Sequence, residues 1–347
     1  MTLPWLTVRF RSVPVSFRLS QNLPKLAIIT LLVTLAAILF SVKYGQYPVP
    51  SIDVVRAVLG LETSNPDYAF IVNQLRLPRS LTAWLVGVAL GIAGTITQGI
   101  LRNPLASPGI IGINSGAALA AVLLIIAFPG APVSWLPLVA FIGGVTIFSL
   151  IYLVAWNGGS SPIRLVLVGI GFSLMTGAVT SILVTFGNIN AVSQALVWLT
   201  GSVYGRSWAE IKVLLPWLIL SVPIALLMAR DLNILNLGDD LARSVGSPIE
   251  WRRGLLLVIS VALAGAAVAT AGTIGFVGFI APHITRRLVG ASHEGLVIAS
   301  GLMGGLLVVV ADLLGRFMFA PVELPCGLIT SLLGAPYFLY LLVCHRQ

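Results

Sequence analysis

The sequence predicts an all-α polytopic membrane protein, on three observations. Hydrophobic residues fill 58% of the 347 positions and charged residues only 9%. A soluble domain carries about 25% charged residues, so this chain lacks the polar side chains to cover a water-facing surface. The mean hydropathy is +1.02, and apolar runs of membrane-spanning length recur along most of the chain. The 35 glycines suit close approach of helices in lipid. Two cysteines, Cys326 and Cys344, exclude a disulfide framework and a cysteine-based metal cluster. A net charge of +9 would point to nucleic acid in a soluble chain; here basic cytoplasmic loops account for it.

Residues 1–24 read as a cytoplasmic segment. With Lys25, this lead carries Arg9, Arg11 and Arg18 and no acid, and an apolar run follows from Leu26 to about Ser41. No small-x-small cleavage site follows, so the run reads as an uncleaved first span. Further runs fall near 80–101, 110–128, 133–155, 163–186, 209–229, 254–271, 273–289, 295–314 and 327–344, making about ten spans. The eighth is short, and Pro282 and the Arg286–Arg287 pair intrude on it. Residues 25–345 then form a single transmembrane domain. Ser51–Gly60 and Asn190–Thr200 carry apolar residues at helical spacing and are expected as short interfacial helices. Ala320–Gly327, with two prolines and an acid, is expected as a loop or helix start.

With ten spans and both termini cytoplasmic, 13 of the 20 Lys and Arg residues face the cytoplasm and seven face outward. That bias favours this orientation. It places Cys326 and Cys344 at opposite faces, where they cannot pair.

One stretch breaks the apolar pattern. Residues 230–254 hold eight of the 31 charged residues in 25 positions. Asp239 and Asp240 can cap a short helix from Asp240 to about Val245, and Ser247–Glu250 can start a second one with Pro248 at its first position. Two short cytoplasmic helices would form a knob. A solvated loop and a docking element for a cytoplasmic protein both fit this charge density.

Two other constellations stand out. Gly87, Gly91 and Gly94 share one helical face, Gly112 and Gly116 repeat the spacing, and Gln98, Asn114 and Ser115 bring polar groups near the membrane. Helix packing explains the glycines; a polar pathway is the alternative. Near the outer face, Arg76 and Arg79 precede the second span, and Asp312 and Arg316 are placed for an i,i+4 pair. Lipid headgroups or an acidic partner would each suit these cations.

Much chemistry is excluded. No glycine-rich loop precedes Lys25, Lys43 or Lys212, so there is no phosphate-binding loop. His283, His293 and His345 lack metalloprotease spacing, and no metal ligands or catalytic residues are expected. No span centre holds an acid or base of the kind that ion-coupled transporters keep. An uphill transporter would therefore draw on a partner for energy. A secondary transporter would need buried ion ligands. A passive membrane scaffold would leave the polar second span and the outer arginines unexplained.

The residues RLPR (76–79), QGILRNPLASPGIIGINSGA (98–117), LVWLTGSVYGRSW (196–208), GDDLARSVG (238–246), GTIGFVGFIAPHITR (272–286) and the stretch from ADLLGR (311–316) to ELPCGLITSLLGAPYFLYLL (323–342) resemble the FecCD-type permeases. These are the membrane subunits of ABC importers for ferric siderophores, haem and vitamin B12. The resemblance runs from about Pro48 onward in the same order and spacing. It implies a type II ABC importer permease fold, paired with a second permease, identical or similar, around a central pathway in the inner membrane of a bacterium. It implies that the region holding Asp239, Asp240, Leu241, Arg243, Ser244 and Gly246 couples to a pair of ATP-binding subunits. ATP and Mg would lie on those subunits and this chain would bind no cofactor. Arg76, Arg79 and Arg316 would face acidic residues of an extracytoplasmic substrate-binding protein. Gln98, Asn103, Asn114 and Ser115 would line or flank the pathway. Cys326 replaces a more usual valine or isoleucine after ELP, and the Asp239–Asp240 start is more acidic than is common. WLTGSVYGRSW and NPLASPGIIGIN are most similar to the iron(III) dicitrate branch, with cobalamin or haem as alternatives.

Overall fold

A computed structural model describes residues 5–9, 16–45 and 47–344. Arg11, His345 and Arg346 lie outside them. The basic lead opens with an antiparallel pair, β1 (Trp5–Arg9) and β2 (Ser16–Ser20), in register from Trp5–Ser20 to Arg9–Ser16. The first span is α1 (Asn22–Lys43). Helix α2 (Ser51–Val58) buries Asp53, Val54 and Ala57 and turns Ile52, Val55 and Val58 outward, as expected of an interfacial helix. Asp53 accepts from the Ser64 backbone N–H at 2.9 Å and from its hydroxyl at 2.6 Å, which ties the next loop down.

The second span begins earlier than its hydropathy suggests. Helix α3 (Pro66–Phe70) is capped by Asn65, which accepts from the Asp67 N–H, and Pro66 suits the first helical position. It passes through a π-helical segment, Ile71–Arg76, into α4 (Leu77–Leu101). The whole is 36 residues, roughly 50 Å at 1.5 Å per residue. That exceeds a hydrocarbon core of about 30 Å, so its first turns stand clear of the membrane. Arg102, at φ 50°, ends α4.

Asn103 then accepts from the Leu105 N–H, a 3₁₀ turn runs over Pro108–Ile111, and Gly112 at φ 85° admits the chain to α5 (Ile113–Ala127). The spans α6 (Leu136–Ala155) and α7 (Pro162–Phe186) follow. The short α8 (Ile189–Leu199) matches the second expected interfacial helix. Helix α9 (Trp208–Leu227) starts on a capping box between Ser207 and Glu210. Next come α10 (Ala229–Asn236), α11 (Asp239–Ser244) and α12 (Ile249–Ala271). The chain closes with α13 (Val277–Val289), α14 (His293–Phe317) and α15 (Cys326–Cys344).

Among the described residues, eight helices are long and apolar enough to cross a membrane. The third and eighth expected runs are the short ones. At 15 and 13 residues, α5 and α13 measure about 22 and 20 Å. Residues 272–276, between α12 and α13, are not helical and turn tightly, with the Ile274 N–H donating to Gly272 and the Val277 N–H to Gly275.

The core is built on α4, α12 and α14. The most apolar window of α4 is 83% buried, against 17% for α7. Glycine sets the spacing. A Cβ on Gly87 would meet the Gly304 carbonyl oxygen at 2.2 Å, and one on Gly94 would meet that of Gly278 at 1.8 Å. Gly116 lies equally close to Gly143. The glycine face thus serves packing, the first of its two readings.

Candidate functional sites at the two ends of the bundle

The charged stretch does form a knob, with different parts from those expected. Helix α11 begins at Asp239 rather than Asp240. Gly238, at φ 108°, occupies the cap position, so Asp239 and Asp240 sit inside the first turn. No second short helix starts at Ser247. Pro248 is the residue before α12, which runs unbroken for 23 residues because nothing after Pro248 interrupts its helical apolar pattern. The second short helix is α10, which precedes α11.

The knob is anchored by ion pairs. Asp239 accepts from Arg253 Nη2 at 2.6 Å and from Arg102 Nη2 at 3.2 Å. Arg253 is 1% exposed and also donates to Ser160, in the turn between α6 and α7. Arg252 pairs with Asp231, and Arg230 pairs with Glu294 at 2.9 Å. What α11 shows to solvent is a mixture: Asp240, Arg243 and Ser244 beside Leu241 and Val245, which are 58% and 66% exposed. Leu237 and Trp251 add exposed apolar surface on either side, and Gly246, at φ 74°, turns the chain away. On a segment this charged, such a patch points to contact with protein. Sequence reasoning singled out Leu241 and the charges. It missed Leu237, Val245 and Trp251, although Leu237, Leu241 and Val245 fall at i, i+4, i+8.

The arginines at the opposite end are less than a tenth exposed, and all are committed within the chain. Arg76 donates to the carbonyls of Val42, Lys43 and Tyr47 at 2.9, 3.2 and 2.6 Å. Arg316 donates to the Ser41 hydroxyl at 2.8 Å and to the carbonyls of Ser41 and Tyr44. Both cap the last turn of α1, where free carbonyls and the helix dipole favour cations. Asp312 does not pair with Arg316. It is bound from two sides by Arg79, through Nε at 3.1 Å and Nη2 at 2.8 Å, and Glu323 holds Arg79 Nη1 at 2.7 Å. The fork of a guanidinium matches a carboxylate better than an i,i+4 approach allows. Around these groups lies a cavity of about 530 Å³, lined by Arg76, Arg79, Arg206, Arg316, Tyr204 and Glu323 among others. Arg206 is a fourth guanidinium that sequence reasoning did not pick out.

The four expected pathway residues separate. Gln98 is buried; its amide nitrogen donates to the Ala106 and Phe279 carbonyls and its oxygen accepts from Arg286 Nη2 at 3.0 Å. Asn103 caps the turn after α4 at the knob end. Asn114 and Ser115 are half-buried on α5, where Ser115 lies 3.3 Å from Ser173 of α7. Only this α5–α7 seam adjoins a helix that is mostly exposed. Cys326 is buried at the start of α15 and Cys344 closes the same helix, so they are held apart.

Residues 32–344 match the FecCD transport family. The chain is 46% identical over 322 residues to the achromobactin transport system permease protein CbrC of Dickeya dadantii, covering 92% of this chain and 91% of that one. It is 41% identical over 308 residues to the Fe(3+) dicitrate transport system permease protein FecD of Escherichia coli, covering 89% and 95%. Its fold is similar to that of a metal-chelate type ABC transporter solved in an inward-facing conformation, with a TM-score of 0.82 at 30% identity over 92% of this chain and 99% of that one. Family match, chain-long identity to permeases and shared architecture agree: this multi-pass membrane protein belongs to the FecCD transport family.

Proposed function

We propose that the chain is the permease subunit of an ATP-driven importer that carries a ferric siderophore or an iron(III) carboxylate chelate across the inner membrane of a bacterium, with both termini in the cytoplasm. The observation that carries this reading is the exposed apolar face of α11, held by the ion pairs of Asp239 with the buried Arg253 and with Arg102 at one end of a membrane bundle. Such a face suits a cleft on a cytoplasmic ATP-binding subunit, with ATP and Mg bound on that subunit and none on this chain. At the other end, the arginine-lined cavity suits acidic side chains of an extracytoplasmic substrate-binding protein, with Arg76, Arg79 and Arg316 supplying the positive field. A second permease, identical or similar, would pack over the exposed flank of α7, leaving Asn114, Ser115 and Ser173 beside the pathway. Lipid covers the remaining apolar surface, and no nucleic acid is involved. The iron–chelate assignment draws support from relatives named for achromobactin and Fe(3+) dicitrate.

The test is a paired substitution, Leu241→Asp with Val245→Asp. Both side chains are exposed, so stability in detergent should hold. Co-purification with the ATP-binding subunit encoded beside this chain should be lost, and uptake of radiolabelled ferric citrate should fall about a hundredfold, as when a buried interface anchor is replaced. Retention of both association and uptake would overturn the reading.

A further inference from the structure

The charges behind α11 connect it to a distant helix. Arg253 sits in the first turn of α12 with its guanidinium wholly buried. Its Nη2 holds Asp239 of α11 at 2.6 Å. Its Nη1 donates to the Ser160 carbonyl and lies 3.3 Å from the Ser160 hydroxyl. Glu250 closes the ring: its Oε2 accepts from the Ser160 N–H at 2.8 Å and hydroxyl at 2.6 Å, and its Oε1 lies 3.8 Å from Arg253 Nη1. Ser160 stands two residues before Pro162, where α7 begins. One planar fork therefore joins α11, α12 and the foot of α7.

Three physical points give this ring a mechanical meaning. Charge-assisted bonds in a water-poor site are stronger than their solvent-exposed counterparts, and a closed network polarises and stiffens itself. A guanidinium fixes its donors in one plane, so its acceptors cannot shift independently. Beyond this foot, α7 is the least buried of the spanning helices within the chain, so contacts inside the chain oppose its movement least. It is also the helix whose Ser173 meets Ser115.

We propose that Arg253, with Asp239, Glu250 and Ser160, forms a force-transmitting joint that makes α11 and the foot of α7 move as one body. Displacement of the knob would then reach the α5–α7 seam through α7 rather than through the glycine-packed core of α4 and α14. These four are positioning residues, and the inference rests on α11 being the docking element for an ATP-binding subunit.

Spin labels on Val245→Cys and Leu167→Cys, both at exposed positions, read the joint directly in lipid nanodiscs, with Cys344→Ser removing a second thiol. The wild-type ring should give a narrow distance distribution. The double variant Glu250→Gln with Arg253→Lys should broaden it, since an ammonium on a flexible stem lacks the fixed plane of donors that holds Asp239 and Ser160 in one geometry. In the assembled importer, the same variant should keep hydrolysing ATP while ferric citrate uptake per ATP falls about tenfold, the scale of a lost coupling between sites. A milder variant, Ser160→Ala, guards against misfolding and should show the same broadening to a smaller degree. An unbroadened distribution in every variant overturns the proposal. If the wild-type chain fails to bind the ATP-binding subunit, the docking reading falls instead, and the nanodisc measurement still decides the joint.

Discussion

The two ends of the bundle both use arginine, and they use it in opposite ways. At the knob end, Arg102 and Arg253 meet Asp239 and Glu250, so these charges balance, and the surface shown to solvent sets aliphatic side chains beside Asp240, Arg243 and Ser244. At the other end, Arg79 pairs with Asp312 and Glu323, and among the described residues no carboxylate lies within ion-pair distance of Arg76 or Arg316. Arg76 and Arg316 rest on carbonyls and a hydroxyl, and the Nη2 atoms of both lie within 3.2 Å of where a Cβ on Gly45 would sit. One end is therefore balanced inside and partly apolar outside; the other stores a surplus of positive charge beside a cavity. The same residue type serves as a structural rivet in the first case and as a source of field in the second. The difference lies in how many acids the rest of the chain supplies.

That contrast can be broken in graded steps. Asp312→Ala should act most strongly. It leaves the buried Arg79 with Glu323 alone, and loss of one partner of a buried pair costs about 3–5 kcal/mol. Thermal unfolding in detergent should show this as a large fall in midpoint; a small one would mean that Glu323 alone satisfies Arg79. Arg76→Ala comes next. It frees three carbonyls at the end of α1 without stranding a charge, and should cost about 2 kcal/mol, on the scale of hydrogen bonds to charged groups. Hydrogen exchange should report faster opening in the last turn of α1, with α12 unaffected. Arg102→Ala should be the weakest. Arg102 is about one third exposed and Arg253 still holds Asp239, so the loss should stay below about 1 kcal/mol and shrink in high salt. A larger loss would show that the knob depends on both arginines.

Much of the fold was readable because hydropathy and glycine spacing are local properties. The spans, the two interfacial helices and the glycine face all follow from residues within one or two turns of each other. The failures share a cause. Asp312 is near Arg316 in sequence but is matched by Arg79, more than 200 positions away, and spacing within one helix cannot show a partner on another. Asp239 reads as a cap by its position, yet its acceptors are engaged by side chains from α4 and α12. The early start of the second span escaped notice because Asn65–Pro66 is a helix-start signal in a stretch with little apolar character. For the candidate sites, charge singled out the segment that forms the knob. The aliphatic face that the charges support carries no signal until the helix is placed, since an exposed leucine and a buried one look alike in a sequence.

The break between α12 and α13 has a consequence for how the chain enters the membrane. Gly272–Phe276 makes few helical hydrogen bonds of its own, and Phe276 takes a positive φ of 65°. Its neighbours close around it: the Ser202 N–H donates to the carbonyl of Ala271, just before the stretch, at 2.7 Å, the Thr273 hydroxyl donates to the Leu199 carbonyl, and Gly334 leaves room for the Phe276 ring. Tight local turns satisfy part of its backbone, the Ile274 N–H donating to Gly272 and the Val277 N–H to Gly275, but a stretch this irregular is costly to expose to hydrocarbon alone. It cannot partition from the translocation channel as an independent unit in the way that a complete helix does. Biogenesis of this protein therefore has an order written into it. The earlier spans and α8 shelter one side of the stretch, and α15, whose Gly334 makes room for the Phe276 ring, closes over it last.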